Sequence, residues 1–388
     1  MRAVNVLVTF LLVFCLSAAT VLAKSAPSSP DAKIEYEKGL VISIIPLENP
    51  QKNTSFVTLV EVVKVKMLSG TQKDEIVDSY HYLSQNSPYD IKVQPGDKII
   101  VSITHDGGRT AYHISDFERT DYIYWLIALF ALSLIVVGRK IGLRSLFVIT
   151  FSVFIVFGVF LPEVLKNRIS LSVLSVLLSG LIASISLVVI TGWNRKSLAA
   201  IIGTVGGVII AGFLSALAIK LMHLSGLASE ESMMLKFALR SQIDFQGLLF
   251  ASMMIGALGA IIDTTISIAS AVYEIKCVHP EIEYWDLLNA GMNVGNDTMG
   301  MMSNTLILAY MGSSLPLMLL LTAQENLPWM KIMNLDLIAT EITRAMAGSV
   351  GLIFAIPLTA ATAAFLLKHE TKCELAQFNN EDDQQNEK

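Results

Sequence analysis

The stretch Tyr122–Gly138, YIYWLIALFALSLIVVG, decides how the rest of the chain is read. It contains no charged residue and approaches the ~20 apolar residues that an α-helix needs to cross a bilayer. Tyr122, Tyr124 and Trp125 stand at its start, where an interfacial aromatic belt would begin. Six further apolar runs follow it, at 143–161, 169–191, 197–222, 247–272, 303–322 and 345–367. Residues 120–368 therefore predict an all-α polytopic membrane bundle of about seven transmembrane helices.

Composition agrees with that reading. Of 388 residues, 53% are hydrophobic and only 16% charged, whereas soluble domains carry about 25% charged residues. The net charge of −5 owes much to the C-terminal run EDDQQNEK, and no basic patch offers a footprint for nucleic acid. The three cysteines, Cys15, Cys277 and Cys373, show no paired spacing, so disulfides and cysteine metal sites are not expected.

Outward from the first span, the N-terminal side changes character twice. Residues 1–23 combine one basic residue, a long apolar run and Val21-Leu22-Ala23 before Lys24, the pattern of a secretory signal peptide. Residues 24–32 hold the linker SAPSSP, and 33–119 turn polar with alternating β-branched runs such as Leu40–Ile45 and Thr58–Val65. Turn signals at Ser69-Gly70, Asn86-Ser87-Pro88, Pro95-Gly96-Asp97 and Asp106-Gly107-Gly108 divide these runs. The segment predicts a small extracytoplasmic β-barrel or sandwich of OB-like kind.

The leader places residues 24–121 outside and the C-terminus in the cytosol. Arg139, Lys140, Arg144, Arg195, Lys196, Lys368 and Lys372 then fall inside, while Lys166, Arg168, Lys236 and Arg240 fall outside, a modest positive-inside bias. The polar tail 369–388 predicts disorder.

Chemistry concentrates between Gly256 and Tyr310. Asp263 lies near the middle of its apolar run, where an ionised carboxylate costs on the order of 3 kcal/mol or more, so it needs water, a cation, a proton or a polar neighbour. At helical spacing it stacks with Gly259, Ser267, Ser270 and Glu274, beside a second row of Ser252, Gly256, Ala260 and Thr264. Asn293, Asn296, Asp297, Gly300 and Asn304 form another polar face, directed into the bundle if it packs on Asp263. Asp263, Thr264, Ser267, Asn293, Asp297 and Asn304 are the candidates for an ion or solute pathway, since their oxygens and amides can coordinate a cation or relay a proton.

Competing readings are structural. Gly256, Gly259, Gly206 and Gly207 serve helix packing, as do Gly203 and Gly212. Asn296 or Asp297 caps a helix starting near Met299. Ser313-Ser314-Leu315-Pro316 interrupts a span, and Tyr284–Leu288 reads as an interfacial helix feeding it.

Two of these stretches carry a family resemblance. GALGAIIDTTISIASAVYE (256–274) and GNDTMGMMSNTLILAYMGSSLPLMLL (295–320) resemble the YibE/F-like family of uncharacterised multi-pass membrane proteins. The family pattern of an acidic residue, an S-I-A-S run and a later M-x-N-T-L-I-L-A-Y run corresponds here to Asp263, Ser267–Ser270 and Met302–Tyr310. WNRKSLAAIIGTVGG (193–207) is similar too. The resemblance implies a bacterial cytoplasmic-membrane protein and no particular activity.

No HExxH, G-x-S-x-G or P-loop is present, so an enzyme is not expected, and no motif assigns a cofactor or metal. The expected function is a transporter or channel for a small ion or solute, proton-coupled through Asp263. The alternative is a non-transporting module whose outer β-domain binds an envelope or protein partner. Expected partners are the lipid bilayer and a small ion or solute, with a homo-oligomer left open.

Overall fold

The computed structural model describes residues 34–47, 59–83, 90–106, 109–166, 168–239, 243–323 and 328–368. The expected leader, linker and tail, and the turn at Asn86-Ser87-Pro88, lie outside the described residues. The chain divides into two compact units, with the boundary between Ser133 and Leu134.

In the N-terminal unit, β1 (Ile34–Leu47), β2 (Leu59–Met67), β3 (Ile76–Leu83), β4 (Lys98–Asp106) and β5 (Arg109–Phe117) form one antiparallel sheet in the order β3-β2-β1-β4-β5. The long β1 serves two neighbours: its first half pairs β4 from Ile34↔Thr104 to Leu40↔Lys98, its second pairs β2 from Gly39↔Met67 to Leu47↔Val60. A bulge between Val41 and Ser43 separates the halves and adds local twist.

Alternation sends Val41, Val63, Val65, Met67, Ile99 and Val101 inward, all at 1% exposure or less. The resulting curl brings β3 to β5, where the Ser79 hydroxyl donates to Tyr112 O at 3.0 Å. Lys38 Nζ donates to Glu118 Oε1 at 2.7 Å and so pins the end of the sheet to β1.

The rest of the chain is helical: α1 (Thr120–Phe154), a π-helical turn (Ile155–Phe160), α2 (Leu161–Lys166), α3 (Leu171–Thr191), α4 (Arg195–Leu221), α5 (Glu230–Ala238), α6 (Phe245–Val278), α7 (Tyr284–Ser313), α8 (Leu315–Thr322), α9 (Trp329–Met333) and α10 (Asp336–Leu367). Side-chain caps fix several starts: Asn194 Oδ1 accepts from Ser197 N at 2.8 Å, and Asp244 Oδ1 from Gly247 N at 2.8 Å.

In the helical unit, α4, α6 and α10 form the centre. Gly207 of α4 lies so close to α10 that a Cβ would stand 2.7 Å from Ala355 Cβ and 2.8 Å from Gly351 O. α7 packs on α6 and α10 through Gly291 and Gly295, where added Cβ atoms would press on Val272 and Ile356.

Among the described residues, five helical runs are long and apolar enough to cross a membrane: Thr120–Lys166, α3, α4, α6 and α10. A sixth is the α7–α8 pair, bent by 63°. The chain therefore fits a membrane protein. The expected spans at 122–138 and 143–161 occupy a single run of 47 residues, broken where Arg139 takes φ 47° and ψ −120°.

Three local expectations are corrected. α7 is helical from Tyr284 through Asp297, so Asn296 and Asp297 are mid-helix residues and cap nothing. Tyr284–Leu288 forms the first turns of α7 itself, because no breaker separates it from the span. Cys277, near the end of α6, is disulfide-bonded, a pairing that spacing along the chain cannot reveal.

Candidate functional site: a polar face on neighbouring helices

Every residue on the most exposed stripe of α6 up to Glu274 is small or polar: Ser252, Gly256, Gly259, Asp263, Ser267 and Glu274. Other membrane-length helices expose what lipid favours. Val173, Leu177 and Leu181 face out on α3, Ile209 and Phe213 on α4, Phe354 and Phe365 on α10. The α6 stripe is thus unsuited to hydrocarbon, which can satisfy neither a carboxylate nor a hydroxyl.

α7 runs antiparallel to α6. A Cβ on Gly291 would stand 2.7 Å from Val272 Cγ2, one on Gly295 3.3 Å from Ile268 Cδ1, and one on Gly256 2.5 Å from the Tyr310 hydroxyl. This register sets Asp263 level with Gly300. The exposed residues of α7 include Asn289, Asn293, Asn296, Asp297, Gly300 and Asn304, again at helical spacing. At 1.5 Å per residue the α7 stripe is about 22 Å long, most of a hydrocarbon layer.

Among the described residues the Asp263 carboxylate has no hydrogen-bond or ion-pair partner. The Ser267 hydroxyl beside it donates to Asp263 O at 2.7 Å. Thr264 lies on the buried side, donating to Ala260 O at 2.9 Å, away from the polar face. Asn293, Asp297 and Asn304 share the α7 stripe, which points out of the bundle and corrects the inward direction expected for it. Periodicity shows which residues share a face; which face is covered depends on where α4 and α10 dock.

The four singled-out glycines divide. Gly206 meets Leu358, Gly207 touches α10 backbone, and Gly256 admits the Tyr310 ring, whereas Gly259 has nothing within 4 Å of its Cβ position.

A second polar cluster escaped the sequence reading. Ser314, between α7 and α8, donates to Glu341 Oε2 at 3.2 Å, and Arg344 Nη2 lies 3.5 Å from Glu341 Oε1. Counting the last span from residue 345 left both charged residues outside it; the acid–base pair at i, i+3 just before that span was the available signal. Among the described residues no group of three or more His, Cys, Asp or Glu is placed to hold a metal ion.

Two family models match this chain: one described as YibE/F-like protein over residues 126–369, the other as YibE/F family N-terminal domain over 45–117. The chain belongs to the YibE/F-like family. The first model takes in both polar stripes and the α7/α8 break of this YibE/F-like chain, and the second takes in the sheet from the end of β1 to β5. No curated protein and no solved structure matches the chain.

Proposed function

We propose that this YibE/F-like protein moves a small ion or solute across a bacterial cytoplasmic membrane along the α6/α7 polar face, with Asp263 as its proton- or cation-binding group. The observation that carries this reading is the unpartnered Asp263 carboxylate at mid-helix depth, on a stripe without a large apolar side chain. Water along the face, or a second copy presenting the same amides and carboxylates, removes the cost of exposing it to lipid.

The rest of the reading follows the leader and the charge bias: sheet outside, C-terminus in the cytosol, and seven crossings with the first long run divided at Arg139. The strand order, with β3 brought to β5, supports an OB-like barrel for the outer domain.

The test is flux in proteoliposomes holding the purified full chain, with a trapped pH dye for protons and radioactive Na+, K+ and Cl−. Flux above empty liposomes that falls at least tenfold in Asp263→Asn, with unchanged folding, supports the proposal. Equal flux in the variant removes Asp263 from it, and no flux of any probe removes transport of these ions.

A second reading has its own observation. Between the edges of β3 and β5 lies an open groove of about 320 Å³, lined by Tyr80, His81, Tyr82, Asp90, His113 and Ser115. Tyr80 and Tyr82 are more than half exposed there, as at surfaces that receive a partner. A variant lacking residues 31–118 that restores every phenotype of a null strain removes the binding-module reading.

A further inference from the structure

Three membrane-length helices meet with their ends at one cavity. α3 starts there, α4 stops and α6 starts, around a space of about 450 Å³ lined by Ser172, Lys220, His223, Asp244, Gln246 and Phe250. Close packing holds the three ends together. A Cβ on Gly247 of α6 would stand 3.0 Å from Leu171 Cβ of α3, and one on Gly212 of α4 would stand 3.3 Å from Phe250 Cζ of α6. Gln246 Nε2 donates to Leu224 O at 2.8 Å and so ties the start of α6 to the chain leaving α4.

The way α4 ends brings a histidine to this space. Leu224 N donates to Ile219 O at 3.0 Å, the six-to-one bond of a Schellman motif, and Leu224 itself is buried. The residue before it, His223, takes φ 52°, in the left-handed region where glycine is the usual occupant. Glycine would relieve the backbone there but would leave the cavity without an imidazole.

The charges around the cavity are of both signs and stay apart. Lys220 lines it from α4 and Asp244 from α6, and neither forms an ion pair among the described residues. Asp244 Oδ1 accepts from Gly247 N as the cap of α6, and a carboxylate can accept several hydrogen bonds, so capping leaves it acceptor capacity. An anion alone would be repelled by Asp244 and a cation alone by Lys220; a ligand carrying both charges suits both. Leu217 and Leu221 on α4 and Val173 on α3, neighbours of the lining residues, are exposed apolar side chains. The cavity therefore lies where membrane-length helices end, beside surface suited to acyl chains, which is the level of phospholipid headgroups.

We propose that this cavity binds a zwitterion bearing a primary ammonium and a phosphate, the chemistry of an ethanolamine phospholipid headgroup, with the phosphate on Lys220 and His223 and the ammonium on Asp244. The site lies at helix ends, away from Asp263 at mid-helix, and does not depend on transport.

Purified full-length protein in a neutral detergent is titrated with phosphoethanolamine and with glycerol 3-phosphate, then with dihexanoyl phosphatidylethanolamine and dihexanoyl phosphatidylglycerol, following Tm by tryptophan fluorescence. A ligand of the folded state raises Tm by mass action. The expected result is saturable binding, about fivefold tighter for the amine-bearing member of a pair. Tighter binding of the lipid than of phosphoethanolamine supports the proposal with a lipid as the source, and equal affinity supports it with a soluble zwitterion. Asp244→Asn keeps an equally good helix cap and removes the charge, so it should erase the preference for the amine. Lys220→Gln should weaken both headgroups about fivefold and keep the preference. His223→Gly should raise Tm without ligand and yet weaken binding, a pair of opposite effects that a purely structural histidine would not give. No preference for the amine in the wild type, or a preference that survives Asp244→Asn, overturns the site, as does unchanged affinity in Lys220→Gln and His223→Gly.

Discussion

Thr204 of α4 and Thr265 of α6 share a buried hydrogen bond of 2.7 Å on the side of α6 turned away from Asp263. α6 thus carries polar atoms on two faces with opposite fates: one is satisfied inside the bundle, the other is left to whatever surrounds it.

Breaking the satisfied pair should be modestly destabilising. Thr265→Val is expected to cost about 0.6–1.7 kcal/mol, the range for interhelical hydrogen bonds in membranes. Thr204→Val with Thr265→Val should cost less than the sum of the single changes, since neither hydroxyl is then orphaned. Reversible unfolding in mixed SDS micelles measures all three; strict additivity would show that the bond contributes nothing.

Two glycine substitutions should differ in sign. Gly207→Ala inserts a Cβ 2.8 Å from Gly351 backbone oxygen, which cannot rotate away, so α4 and α10 must separate at a cost of about 1–3 kcal/mol. Gly259→Ala meets nothing within 4 Å and should be neutral or slightly stabilising for the single chain. The same unfolding assay applies, and equal losses at both sites would contradict the α4–α10 contact.

The outer sheet should respond to pH through Lys38 and Glu118. The Lys38 hydrogen bond holds the enclosed Glu118 carboxyl below its ordinary value of 4.5, against burial, which acts in the other direction. Glu118 in turn holds Lys38 above 10.5. The Glu118 contribution is complete above pH 4.5 and is lost as pH falls through its lower folded value; that of Lys38 is complete below pH 10.5 and is lost as pH rises through its higher one. Glu118→Gln should therefore cost about 1.5–3 kcal/mol near neutrality and progressively less at either extreme, read from infrared melting of the sheet in the full chain.

If a second copy closes the polar face, Ser267→Cys should form an intermolecular crosslink in membranes under mild oxidation, above the wild-type background. Phe213→Cys, on the apolar exposed side of α4, should not. Equal crosslinking at both positions would point to random collision.

Much of the architecture was legible from residues 122–138 and 256–310, because a bilayer demands long apolar runs and a half-buried strand demands alternation. The interruption at Ser313–Pro316 was legible for the same reason: proline removes a helical donor, and α7 does end at Ser313. The start of α7 was not, since Tyr284–Asp297 carries too many polar residues to read as a span by hydropathy. Glu341 and Arg344 were passed over because they precede an apolar run, although they meet Ser314 in space.

The sequence by itself determined that this chain has a β-rich segment followed by membrane-length helices, and that Asp263, Ser267, Asn293, Asp297 and Asn304 lie along helical stripes. Those features depend on local periodicity and on the solvent each residue tolerates. Only the tertiary structure decided that the stripes face out of the bundle, that Thr264 faces in, and that Tyr310, Ser314, Glu341 and Arg344 converge. Such facts depend on which helix faces dock, and docking is chosen by close approach at residues such as Gly207, Gly291 and Gly295, far apart along the chain.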